Sequence, residues 1–352
     1  MRLLVAVSVV ALVTGLPAMA ATIDVHEGQS IGVALKRARP GDTVAVHAGT
    51  YNESVSASVS GVKLVSVDGV GAAHIKSNGT ALFIRGGSGN EIRGFSITGG
   101  GRGNGIQVGG TVSRFAEGYV IADNIIKNAG LDGIKVHQAK GFTFEGNVIE
   151  NAGTGNAGNH DGGIDFVAVT DSVVEGNTVI KTGGNSCLML KGGTARNEVT
   201  SNTFAGCKDA IHVGGLTGNQ WRAPGSGGKE AYDNVIKGNN LCGRSSSIYM
   251  FDGEKRRQDN TIQNNECNGA DIGIDVVGAD PTPPRPPLVT RDDIPKEALP
   301  DNSSALAEYQ KGLSKLATAR NVLSQATAMK LPSMSMSELR QHIAAANKAD
   351  CN

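Results

Sequence analysis

Along the middle of the chain, apolar and polar residues alternate in short bursts rather than long runs. Gly105-Ile106-Gln107-Val108, Gly133-Ile134-Lys135-Val136, Gly163-Ile164-Asp165-Phe166, Leu188-Met189-Leu190, Ala210-Ile211-His212-Val213, Ile248-Tyr249-Met250 and Gly273-Ile274-Asp275-Val276 all read in-out-in. Period two is the signature of a strand with one buried face. A second phrase, Asn before a short strand, recurs as Asn124-Ile125-Ile126, Asn147-Val148-Ile149, Asn177-Thr178-Val179 and Asn202-Thr203-Phe204, and again around Asn239 and Asn264. Its spacings of 23, 30, 25, 37 and 25 residues are coil lengths, the long ones carrying insertions. Gly and Asn tolerate the left-handed backbone that tight corners need, and units this small bury a face only by stacking. The pattern therefore predicts an all-β fold, a right-handed parallel β-helix over residues 21–280, with Asn side chains bonded along its axis.

The ends read differently. Arg2, the apolar run Leu3 to Leu16 and the small-x-small Ala18-Met19-Ala20 form a secretory signal over residues 1–20, cleaved after Ala20. Ile31, Ala34, Leu35 and Ala38 fall on one helical face, a capping helix that Pro40-Gly41-Asp42 terminates. Pro281, Pro283, Pro284, Pro286 and Pro287 make residues 281–300 a linker. Beyond it, Leu306, Tyr309, Leu313, Leu316 and Leu323 mark one helix and Ser335-Met336-Ser337-Glu338 opens a second, so residues 301–352 read as a helical hairpin.

Composition narrows the function. Glycine supplies 49 of 352 residues while aromatics make up 4%, so the chain turns often and builds its core from aliphatics. A formal net charge of zero excludes a general nucleic-acid or membrane binder; a polyanion must be gripped locally. The expectation is an exported monomer, periplasmic or secreted, with no membrane insertion. Five cysteines, Cys187, Cys207, Cys242, Cys267 and Cys351, leave at least one without an intrachain partner, and none has zinc-site spacing.

Stacked parallel strands turn each outward position into a ladder: Gln107, Lys135, Asp165, Met189, His212, Tyr249 and Asp275, with His137 and Lys191 two residues along. Asp132, Asp161 and Asp165 gather on adjacent coils. Read for chemistry they form a calcium cage; read blandly, two are turn-forming and one is a solvated strand residue. Lys135, His137 and His160 flank them as substrate contacts. The insertion from Leu216 to Lys229 carries the single tryptophan, Trp221, beside Arg222, a sugar platform and a carboxylate clamp or else loop packing. Arg244 and Tyr249 extend the same flank.

Two stretches resemble known proteins. Arg39-Pro40-Gly41-Asp42-Thr43-Val44 and Gly49-Thr50-Tyr51 resemble the opening of pectate-lyase-like β-helix proteins. Asp161-x-x-x-Asp165, followed a coil later by an apolar strand, Lys191 and Gly192-Gly193, resembles family 9 polysaccharide lyases, which cleave pectate-type polymers. That resemblance implies calcium on Asp132, Asp161 and Asp165, and Lys191 as the base that removes the sugar's C5 proton. His212 is the competing base. The expected activity is a calcium-dependent lyase on an acidic, uronate-containing polysaccharide. A uronate C5-epimerase, a glycoside hydrolase, and a non-catalytic polysaccharide-binding or envelope scaffold protein are the alternatives.

Overall fold

The in-out-in segments stack in register. Ile106, Ile134, Ile164, Leu188, Ile211 and Ile248 are successive partners across parallel strands, each buried, and their outward neighbours Gln107, Lys135, Asp165, Met189, His212 and Tyr249 form one continuous row. The structure is a computed structural model that describes residues 19–155, 162–251 and 259–272. The signal segment up to residue 18, Asp275, the linker, the C-terminal hairpin and Cys351 lie outside the described residues, as do His160 and Asp161.

Three parallel sheets wrap one core, giving a β-solenoid of about 8 turns. The first runs from Thr22–Val25 to Thr261–Gln263 and the second from Gly49–Tyr51 to Ala270–Asp271, ten strands each. The third, with 11 strands, includes Val55–Ala57, Leu82–Arg85, Ile106–Gly109, Ile134–Lys140, Gly162–Thr170, Ser186–Lys191, Asp209–Val213 and Ser246–Met250. Among the described strands the pairing is parallel, except that Glu266–Cys267 meets Ala270–Asp271 antiparallel; an isolated bridge between Thr111 and Arg114 is also antiparallel. One largely aliphatic cluster fills the interior, with Phe142 stacked on Phe144 and Phe166 tilted against Phe144 through its middle. Helix Ile31–Arg37 lays Ile31, Ala34 and Leu35 against this cluster, and its cap Ser30 accepts a hydrogen bond from the Val33 amide.

Corners close through asparagine. Asn124, Asn147, Asn177, Asn202 and Asn239 are buried, and each amide nitrogen donates to the Oδ1 of the next rung at 2.9–3.0 Å. The last partner is Asn265, not Asn264; Asn264 instead takes the left-handed turn at φ 51° just before it. A second ladder, Ser172, Asn197, Asn234 and Asn260, runs up another corner. The Asn-led phrase is present here too, as Asn234-Val235-Ile236 and Asn260-Thr261-Ile262, each five residues before a rung of the first ladder. Cys187–Cys207 and Cys242–Cys267 are disulfides between neighbouring coils.

Candidate active site

The third sheet carries most of the candidate residues, because its strands Ile134–Lys140 and Gly162–Thr170 are the longest and hold both outward rows. Lys135 and Asp165 are direct partners in the first row. His137, Val167 and Lys191 follow one another in the second, which continues outward through Gly109 to Arg85. Asp165 sits in an outward position yet is 1% exposed, because long side chains from adjoining coils close over it. Lys135 reaches its Oδ2 from one coil and Lys191 reaches the same oxygen at 3.0 Å from the other. Lys135 also lies 3.6 Å from Asp132, whose Oδ1 accepts the Gly162 amide.

Burial alone would push the Asp165 pKa up, but the two ammonium groups outweigh it and hold the carboxyl below its usual range. Its Oδ1 is buried with no hydrogen-bond partner in the structure. The result is a layered cluster: carboxylates underneath, ammonium groups above them and partly open to solvent. A ligand laid on this face meets the cations first.

His137 lies flat across Gly109 on the preceding coil, so close that a Cβ there would meet the ring at 2.2 Å. Its Nδ1 is 2.6 Å from Gln138 Oε1. Gln138 is itself buried and left-handed at φ 46°, and its Nε2 donates to the Trp221 carbonyl at 2.9 Å. Burial pushes the His137 pKa below its ordinary value; Lys135 adds to this, while the Gln138 bond and Asp165 oppose it.

The Trp221 loop forms a wall beside these rows, and Trp221 is 51% exposed on it. Of the two sequence readings of Arg222, carboxylate clamp or loop packing, the contacts are those of loop packing: the guanidinium is held within the loop. Arg222 pairs with Glu230 and donates to the Thr217 and Gly228 carbonyls. Glu230, buried at 4% exposure, also accepts from the Gly192 amide at 2.7 Å and from the Thr217 amide and hydroxyl.

His212 lies further up the first row, beyond Met189, with Nδ1 3.3 Å from Asp209 Oδ2 and its ring 4.6 Å from that of Tyr249. Ser246 holds the other Asp209 oxygen at 2.6 Å. Arg244 is exposed at the adjoining corner. The structure thus brings together Asp132, Lys135, Asp165 and Lys191, sets His137 and Trp221 on one flank, and places His212 and Tyr249 on the other.

The described donors do not fit calcium. The ion takes about six to eight oxygens, whereas here both aspartates already neutralise ammonium groups and Asp132 is further spent on a backbone amide. Among the described residues no three His, Cys, Asp or Glu side chains gather as a cation site. The sequence reading singled out neither Gln138 nor Glu230. Gln138 directly follows a flagged histidine, and Glu230 closes the glycine-rich insertion; those positions were the available signals.

A family model described as a right-handed β-helix region matches residues 58–223. An alginate lyase from Paenibacillus sp. str. FPU-7 is 18% identical with a TM-score of 0.48, over 71% of this chain and 96% of that one. A pectate lyase is 12% identical with a TM-score of 0.37, over 73% of this chain and 82% of its own. The A-module of a mannuronan C-5 epimerase from Azotobacter vinelandii is 17% identical with a TM-score of 0.32, over 67% of this chain and 88% of that one. No curated protein matches the sequence. Among the described residues, no helix is long and apolar enough to cross a membrane.

Proposed function

We propose that this chain cleaves an acidic, uronate-containing polysaccharide by β-elimination on the outer face of the third sheet. The observation that carries the reading is the convergence of Lys135 and Lys191 on the buried Asp165. Elimination across C4 and C5 of a uronate removes a weakly acidic proton next to a carboxylate, and that carboxylate must first be neutralised. Two ammonium groups fixed in place by a buried anion supply this charge already oriented, which is where electrostatic catalysis gains most.

In this scheme Lys135 and Lys191 receive the sugar carboxylate, and Lys191 gives a proton to the departing glycosidic oxygen. An imidazole beside the cluster takes the C5 proton. Trp221 offers a ring on which the pyranose stacks. No step is routed through calcium. Two disulfides suit an oxidising compartment, in keeping with an exported protein.

The test is to follow the ultraviolet absorbance of unsaturated uronates while the protein meets pectate, alginate and glucuronan. Signal that disappears in Lys191→Ala supports the reading. Inversion at C5 without chain cleavage would replace it with an epimerase, and polymer binding without any change in the sugar would replace it with a binding protein.

A further inference from the structure

Two imidazoles flank the lysine pair, and the geometry assigns them different work. A neutral imidazole has one nitrogen carrying hydrogen and one carrying a lone pair, so the partner of one decides the role of the other. For His137 that partner is settled from outside the ring. The Trp221 carbonyl only accepts, so the Gln138 group facing it must be the NH2. The amide is thereby oriented with Oε1 toward His137 Nδ1, and Oε1 also only accepts. Nδ1 must then hold the hydrogen. Nε2 is left as the lone-pair nitrogen, and no described residue bonds it.

We propose that His137 Nε2 is the proton acceptor of the elimination, and that Gln138, anchored on the Trp221 carbonyl, is the positioning residue that keeps it so. This rests on the reading above. In the step, the C5 proton passes to Nε2 and the C5–H electron pair becomes the C4–C5 double bond. The C4–O bond breaks with its electrons on oxygen, which takes a proton from Lys191 Nζ. His137 then releases its proton to water and Lys191 regains one.

Three features support the assignment. Burial keeps the ring in its neutral form at pH values where an exposed imidazole is partly charged. Gly109 provides the floor on which it lies, and a Cβ at that position would displace it. Gln138 takes the left-handed corner that Ala168 also takes on the next coil, so the coil itself fixes where the Gln138 side chain starts. His212, in contrast, has its Nδ1 on the carboxylate Asp209 and its ring against Tyr249, beyond the Met189 rung. The charged groups around His137 are Lys135 and Asp165 on the neighbouring row, with Lys191 and Arg85 along its own. The loop side adds Arg222 already paired with Glu230.

The consequence is that the wall which stacks the sugar also sets the base: if the Trp221 backbone shifts, Gln138 is free to turn and His137 loses its fixed tautomer. The experiment is nitrogen NMR of ring-labelled histidine in the full chain without substrate, for wild type and Gln138→Asn. Asparagine suits the left-handed backbone but is too short to reach both partners. The expected result is a pure Nδ1–H form of His137 in the wild type and a mixture in the variant. Kinetics on the polymer found to be cleaved should then show a fall of about 100-fold in kcat, KM little changed and an altered acid limb in Gln138→Asn. Loss of turnover with retained polymer binding is expected in His137→Gln. An Nε2–H wild type, or turnover surviving in His137→Gln, overturns the proposal. A wild type that cleaves nothing overturns the elimination itself and the acceptor with it, while the tautomer result still reports separately on the Gln138 chain.

Discussion

Lys191 Nζ meets Asp165 Oδ2 at 3.0 Å although Lys191 belongs to the next coil and pairs in register with Val167, not Asp165. The lysine therefore leans diagonally across the sheet, passing Met189, whose sulfur lies 3.0 Å from the same ammonium. Asp165 is the fixed point of the arrangement and the lysines are what it holds.

Neutralising that point should scatter the cations. In Asp165→Asn the Coulombic hold on Lys135 and Lys191 is gone while their mutual repulsion remains. Removing one preorganised electrostatic element typically lowers turnover about 100- to 1000-fold, and we expect a loss of that order in kcat/KM. Steady-state kinetics on the cleaved polymer, with circular dichroism to confirm folding, decides it; near-wild-type turnover would show that Asp165 does not organise the site.

Chelation separates the ammonium cluster from a calcium cage. With Asp132 and Asp165 both committed to ammonium groups, exhaustive dialysis against a chelator should leave cleavage unchanged, and added calcium should not raise it. A chelator that abolishes cleavage, with recovery on adding calcium, would restore the metal reading and place it on a set that includes Asp161.

The asparagine ladder carries much of the fold's specificity. Asn177 accepts from the backbone and side-chain amides of Asn147 and donates to Phe144 and to Asn202. Asn177→Ala leaves several buried groups unpaired at about 1–3 kcal/mol each, so unfolding free energy should fall by about 3 kcal/mol in urea titration. A change below about 1 kcal/mol would mean that water or backbone movement replaces the rung.

The same ladder shows where the sequence could be read and where it could not. Repetition made the rows legible: the outward series from Gln107 to Tyr249 follows from period two and an aliphatic residue before each outward position, and the register bears it out rung by rung. What occurs only once was not legible. Outward position left Asp165 as either a cage ligand or a solvated strand residue, and its burial depends on how far two lysines from different coils lean. Arg222 beside Trp221 left a ligand clamp and loop packing both open, and its pairing with Glu230, eight residues on, is nothing that residues local to Arg222 reveal. Gln138 matters through a carbonyl in a loop about eighty residues away, a contact no spacing rule encodes.

The disulfides offer a test of what cross-linking contributes to stability. Cys187–Cys207 closes a segment of 20 residues, and a cross-link of that span contributes about 3 kcal/mol by constraining the unfolded chain. Cys187→Ser should lower stability by about that much while leaving kcat intact, since the bond lies inside the core cluster and away from the outer rows. Equal denaturant midpoints for wild type with and without reductant would show that the bond contributes nothing.

The Trp221 loop allows binding and base positioning to be separated, because the ring and the carbonyl of one residue do different things. The ring is exposed and free to stack on a sugar; the carbonyl orients Gln138. Trp221→Ala removes only the ring, and an aromatic contact contributes about 0.5–1.5 kcal/mol, so KM should rise about two- to tenfold with kcat and its pH profile unchanged. Glu230→Gln acts on the other function: it weakens the hold on Arg222, Thr217 and Gly192 that shapes the loop, so the carbonyl wanders and kcat falls along with the Nδ1–H signal of His137. If both variants change only KM, the loop is a sugar platform and the base is positioned without it; if Trp221→Ala alone alters the pH profile, the ring shields the imidazole from water and the Gln138 chain is secondary.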